Sequence, residues 1–146
     1  MKFAEFHQGQ VIELGPYSVD ETEIVDFAQH WDPQWFHTDA DAAAEGPFEG
    51  LIASGWHSCC IAMRLVAEQV LAGSESYASP GLKDLKWLQP VRPGDHLSLR
   101  LTVIEARRSR KRPELGVLDW RWQLRNQQDT VVLELEVTSM FKLAPE

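Results

Sequence analysis

Apolar residues follow two different periods along this chain, and the change between them falls near Gly81. Beyond Gly81 the period is two. Leu97, Leu99, Leu101 and Val103 alternate with Ser98, Arg100 and Thr102. Leu118, Trp120, Trp122 and Leu124 alternate with Asp119, Arg121 and Gln123. Val131, Leu133, Leu135, Val137 and Ser139 alternate with Val132, Glu134, Glu136 and Thr138. This pattern predicts three long amphipathic strands joined by hairpin-like loops. Leu82, Leu85, Trp87 and Leu88 lead into them through the turn Pro90 to Asp95.

Before Gly81 the spacing is mostly helical. Val11 to Val19 reads as a first strand, turned at Gly15-Pro16. Ser18 or Asp20 can cap a helix from Glu21 to about His30, with Ile24, Phe27, Ala28 and Trp31 on its apolar face. Asp32-Pro33 ends it, because the residue before proline disfavours the α region. Thr38 or Asp39 starts a short alanine-rich turn, Ala40 to Glu45, and Gly46-Pro47 breaks it. Ser54 to about Gly73 is the longest predicted helix. Only Arg64, Glu68 and Gln69 are strongly polar over its last two-thirds, so other elements are expected to wrap it. The sum is an α+β domain in which one antiparallel sheet curls around one helix. Such a sheet leaves open edges, and at least a dimer is expected.

Composition narrows the function classes. A chain of 146 residues is expected to be one domain, 1–146. A formal net charge of -8 argues against nucleic acid as a partner. The two cysteines, Cys59 and Cys60, are sequence neighbours on a helix and imply no disulfide framework, which suits a reducing, cytoplasmic compartment. The N-terminal residues carry no signal-peptide pattern, and no apolar run is long enough to span a membrane. Metal-ligand spacing and glycine-rich phosphate loops are missing, so no bound cofactor is expected beyond a carrier arm on the substrate itself.

Candidate chemistry concentrates between Trp31 and Met63. Asp32 and His37 sit on one short segment, and Ser54-Gly55 opens the apolar helix after a Gly-Pro loop. An acid, a base and a helix N-terminus are the parts needed to add water to an activated acyl group or to remove it. Each has a plainer reading: Asp-Pro as a turn pair, His37 as a packing histidine, Gly55 as a residue chosen for close approach. Apolar Trp31, Trp35 and Phe36 beside Asp32 are expected to desolvate its carboxylate and raise its pKa.

Three segments, DPQWFHTD from Asp32, FEGLIASGW at Phe48 to Trp56 and WLQPVRPGD at Trp87 to Asp95, make the chain resemble the MaoC-like dehydratases. That hot-dog-fold family includes the (R)-specific enoyl-CoA hydratases. The family motif runs Asp-x-Asn-Pro-x-His. Here Asp32 and His37 keep the spacing, Pro33 follows the Asp directly, and Gln34 stands where Asn is usual. The resemblance implies reversible hydration of a trans-2-enoyl-CoA, or of an acyl-carrier thioester, to the 3-hydroxyacyl product. It implies that Asp32 and His37 hold one water between them.

Backbone N–H groups near Ser54 and Gly55 are then expected to polarise the thioester oxygen. Gln34 and the Ser58 hydroxyl are expected to support the catalytic pair, with Ser58 holding the Asp32 carboxylate. Trp35, Phe36 and Trp56 are expected to line the acyl tunnel, and His57 is read as structural. Arg108 and Arg110 belong to a basic run, Arg107 to Arg112, whose default reading is a solvated hairpin tip. The run is also a weak candidate for the phosphates of coenzyme A. Two alternatives stay open: a hot-dog thioesterase, whose usual Asp-x-Asn-Gly-His context is missing here, and a non-catalytic acyl-CoA-binding subunit.

Overall fold

The alternating segments pair into one five-stranded antiparallel sheet in the computed structural model, which describes residues 1–145. The strands are β1 (Val11–Ser18), β2 (Ser76–Trp87), β3 (His96–Arg108), β4 (Leu115–Arg125) and β5 (Val131–Lys142), in the order β1-β3-β4-β5-β2. Periodicity alone missed the first part of β2, because Ser76 to Pro80 lie on an open edge where no face is buried. Four helices precede the sheet's long strands: α1 (Glu21–Trp31), α2 (Trp35–Thr38), α3 (Ala40–Ala44) and α4 (Gly55–Val66). Of the competing caps, Asp20 accepts from the Glu23 amide at 2.8 Å and Asp39 from the Ala42 amide at 3.0 Å. A π-helical turn, Ala67–Leu71, carries α4 on towards Gly73.

The core forms where two apolar periods meet. Ile61, Ala62, Leu65 and Val66 of α4 pack with the inward row Leu97, Leu99, Leu101, Leu118, Trp120, Leu124 and Leu135. The buried Trp120 indole donates to the Ser139 hydroxyl at 3.0 Å, which satisfies a polar group in the apolar layer. The sheet curls around α4 as expected, but the cover is one-sided within the protomer. The sheet and α1 cover one side, while Trp56, Cys60 and Met63 face outwards and are exposed.

Register fixes which loops share an end of the sheet. Trp87 pairs with Leu133, Leu133 with Leu124, and Leu124 with Leu99. Ser76 pairs with Phe141, Phe141 with Gly116, and Gly116 with Arg108 at the other end. Among the described residues, no helix is long and apolar enough to cross a membrane.

Candidate active site

Asp32 caps the C-terminus of α1, where its amide donates to the Ala28 carbonyl at 2.8 Å. Pro33 stops the helix there, and α2 then turns His37 back towards Asp32. The His37 Nε2 atom lies 3.3 Å from Asp32 Oδ2. On the far side of the ring, Nδ1 lies 2.7 Å from the Ile52 carbonyl oxygen. A carbonyl only accepts, so Nδ1 carries a proton, and Nε2 is the ring nitrogen that faces Asp32. One carboxylate oxygen and one imidazole nitrogen therefore face the same small space.

The carboxylate is held from two more directions. The Gln34 amide donates to Oδ1 at 2.7 Å, and the Ser54 hydroxyl donates to Oδ2 at 2.7 Å. The hydroxyl on Asp32 is thus Ser54, not Ser58 as expected. Ser58 is buried one turn further along α4 and lines the cavity instead. The expected direction of the Asp32 pKa is also reversed. Burial is the largest single influence and pushes the carboxyl up, but the hydrogen bonds from Gln34 and Ser54 and the charge of His37 together outweigh it and hold it below its ordinary value.

Ser54 is the N-cap of α4, yet its hydroxyl is spent on Asp32 and makes no capping bond. The first-turn amides of α4 therefore lack the usual side-chain acceptor and are left for another oxygen. Gly55 is required beside them. A Cβ there would sit 2.4 Å from Cε2 of Trp87, whose ring lies flat against the start of the helix.

A cavity of about 380 Å³ opens over Asp32, His37, Gly55 and Ser58. Trp56, Trp87, Leu88 and Phe48 wall it, and Phe48, Trp87 and Leu88 were absent from the expected tunnel lining. The WLQPVRPGD segment did carry the signal for Trp87. Trp35 and Phe36 do not reach the cavity, which corrects their expected role. Trp35 packs over Gly46, and Phe36 sets its edge against the His37 ring at 4.4 Å between centroids.

Arg108 and Arg110 are not brought to the site in the protomer. They lie at the β3–β4 hairpin, at the opposite end of strands whose 11 residues in β4 span roughly 35 Å at about 3.4 Å per residue. Arg108 donates there to the Pro113 carbonyl at 2.8 Å, and Arg112 to Glu114 at 2.9 Å.

His57 is buried on the other flank of α4. Its ring stacks on Phe27, 4.5 Å between centroids and 9° from parallel, and its Nε2 lies 3.5 Å from Glu23 Oε2. Tyr17 of β1 donates to the other oxygen of Glu23. Burial, and then this bond to a carboxylate, pushes the Tyr17 phenol up to about 12.

Comparison with known proteins places the fold in a family. The family profile described as "MaoC like domain" matches residues 3–118. The uncharacterized protein YdeM of Bacillus subtilis is 33% identical over 142 residues, covering 97% of this chain and 99% of YdeM. The crystal structure of a MaoC-like dehydratase from Rhodospirillum rubrum superposes with a TM-score of 0.88 at 32% identity, covering 98% of this chain and 97% of that one. The R-hydratase PhaJ1 from Pseudomonas aeruginosa gives 0.72 at 25% identity, covering 97% and 86%. The chain belongs to the MaoC-like dehydratase family and has its hot-dog fold.

Proposed function

We propose that this protein catalyses the reversible hydration of a trans-2-enoyl thioester, carried on coenzyme A or an acyl carrier protein, to the 3-hydroxyacyl thioester. The observation that carries the reading is the Asp32 Oδ2–His37 Nε2 pair, 3.3 Å apart beneath an apolar cavity and beside the uncapped start of α4. A carboxylate oxygen and an imidazole nitrogen side by side can hold one water and exchange protons with it. As the water oxygen forms its bond to C3, one of its protons passes to the Asp32–His37 pair and a proton is delivered to C2. The C2=C3 double bond is consumed, and the reverse sequence releases water. The pair shares its protons, so one titration belongs to both residues.

Electron density moves onto the thioester oxygen during the attack. The first-turn amides at Gly55 and Trp56, at the positive end of the α4 dipole, are suited to receive it. Gln34 supports Asp32 from a longer arm than the usual Asn. The apolar walls exclude bulk water and so strengthen these interactions. The cavity mouth serves a thioester arm without further prosthetic chemistry. Two copies of the chain are proposed to assemble in a reducing, cytoplasmic setting, which the unpaired Cys59 and Cys60 suit.

The test is the loss of the conjugated-thioester absorbance of crotonyl-CoA, run beside a free-thiol assay. Loss without thiol release is expected. Asp32→Asn and His37→Gln should each lower kcat by about 10²–10⁴-fold, with less effect on KM. The double variant should be little worse than either alone, because one shared water is lost once. Thiol release would make the protein a thioesterase, and near-wild-type hydration by both folded variants would remove Asp32 and His37 from the mechanism.

A further inference from the structure

The catalytic cavity has two neighbours of opposite character. Across Gln89 and Pro90 lies a polar cleft of about 370 Å³ with Arg92, Asp95, Asn126 and Gln127. Across Trp56 lies a larger apolar cavity of about 480 Å³ between α4 and the inner face of the sheet, with Met63, Leu71, Leu82, Trp122, Leu135 and Val137 on its walls. Trp56 is the residue that lines both the catalytic and the apolar cavity. An alkyl chain leaving C3 of the substrate belongs in the apolar neighbour, since each buried methylene is worth about fourfold in affinity.

Trp56 stands between the two cavities, beside the indole of Trp87. Trp87 is fixed against the backbone of Gly55, so closely that a Cβ would collide with it. Trp56 stands edge-on to Trp87, with centroids 5.5 Å apart and planes at 72°. Trp56 immediately follows Gly55, so its ring rises where the acyl chain must pass the thioester-binding end of α4. The geometry points to Trp56 as a specificity-determining residue: it closes the catalytic cavity against its apolar neighbour and restricts the protein to short-chain enoyl thioesters. This rests on the hydratase reading, and the wall is a feature of this chain's own Trp56–Trp87 pair.

The experiment compares kcat/KM for crotonyl-CoA and trans-2-decenoyl-CoA in the wild type, Trp56→Leu, Trp56→Ala, and Trp56→Ala combined with Met63→Trp. The wild type should strongly favour crotonyl-CoA. The decenoyl-to-crotonyl ratio should rise through Trp56→Leu to Trp56→Ala, reaching about tenfold or more over the wild type, a size expected when a pocket admits methylenes it had excluded. Met63→Trp enlarges a side chain lining the apolar cavity and should reverse the gain. Should Trp56→Ala fail to fold, the Trp56→Leu ratio decides alone. A wild type that already accepts decenoyl-CoA as well as crotonyl-CoA, or a ratio unmoved by shortening Trp56, overturns the gate while leaving the hydratase reading intact. A wild type that hydrates neither substrate overturns the hydratase reading, and the gate with it.

Discussion

At the scale of single residues, the site turns on one hydroxyl that serves the wrong helix. Ser54 stands where an N-cap serine normally accepts an amide of its own helix, and instead donates to Asp32. This one bond ties the acid to the start of α4 and leaves the first-turn amides uncapped. It also helps hold Asp32 below its ordinary pKa against the upward push of burial. Ser54→Ala removes a bond that stabilises the charged form while burial remains, so the Asp32 pKa must rise. The acidic limb of kcat/KM for crotonyl-CoA should then move to higher pH, and the alkaline limb should stay in place. A pH–rate profile with an unmoved acidic limb would show that Ser54 does not act through the carboxylate. The candidate pair Asp32 and His37 was legible in sequence because five residues across a proline turn already bring the two together. The role of Ser54 was not, because local capping rules assign its hydroxyl to its own helix. Only the packing of α1 against α4 overrides that assignment. Asp32's apolar neighbours misled for a related reason: sequence shows the desolvating rings and hides the two donors that, with His37, outweigh burial.

At the scale of elements, α1 delivers Asp32 and α4 delivers Ser54, so the placement of one helix on the other sets the site. Away from the cavity, that contact is made by Phe27 stacked on His57 and by the approach of His57 to Glu23. His57 Nδ1 and Glu23 Oε2 are buried without a hydrogen-bond partner. Burial is the main influence on His57 and pushes its pKa down, opposed by the Glu23 carboxylate 3.5 Å away. The sign for stability follows. The unfolded chain takes up a proton near the ordinary histidine value of about 6.5, whereas the folded chain takes it up only at lower pH. Unfolded protein therefore binds more protons in the window below that value, and stability falls as pH drops through it. Denaturant unfolding at about pH 7.5 and about pH 5.5, either side of that value, should show a smaller loss on acidification in His57→Gln than in the wild type. Equal losses in the two proteins would mean that His57 titrates in the fold as it does in the unfolded chain. The long strands and helices themselves were readable from period and caps, because each has one buried face. β2 was only half readable, because an edge strand exposed on both faces carries no period to read.

At the scale of the whole molecule, an apolar strip runs along the outer face of α4 and across β2. Trp56, Met63, Tyr77, Leu82, Trp87 and Leu88 are each at least 40% exposed. Six large apolar side chains on one side of a small protein are more than scattered surface residues, and such patches mark interaction surfaces. The strand beneath them is also the edge of the sheet, with backbone donors and acceptors free to pair. A second copy satisfies both needs at once, because a two-fold axis beside β2 pairs edge with edge and apolar strip with apolar strip. The strip adjoins Trp56 and Trp87, so the partner would lie close to the catalytic cavity. The basic hairpin shows why distance along a chain misleads about distance in space. Arg108 and Arg110 looked available to a substrate's phosphates until the register of β3 and β4 placed them at the far end of the sheet. Light scattering should give a mass near twice 16.6 kDa at micromolar concentration. Tyr77→Lys together with Leu82→Lys places two charges on the edge strand and should shift the mass towards the monomer, without disturbing residues that touch Asp32 or His37. A partner seated on this strip would cover the flank of the cavity, so the proposed hydration should weaken in step with dissociation when the variant is diluted. A wild-type mass near 16.6 kDa under the same conditions would leave the strip without its proposed cover and return β2 to an open edge.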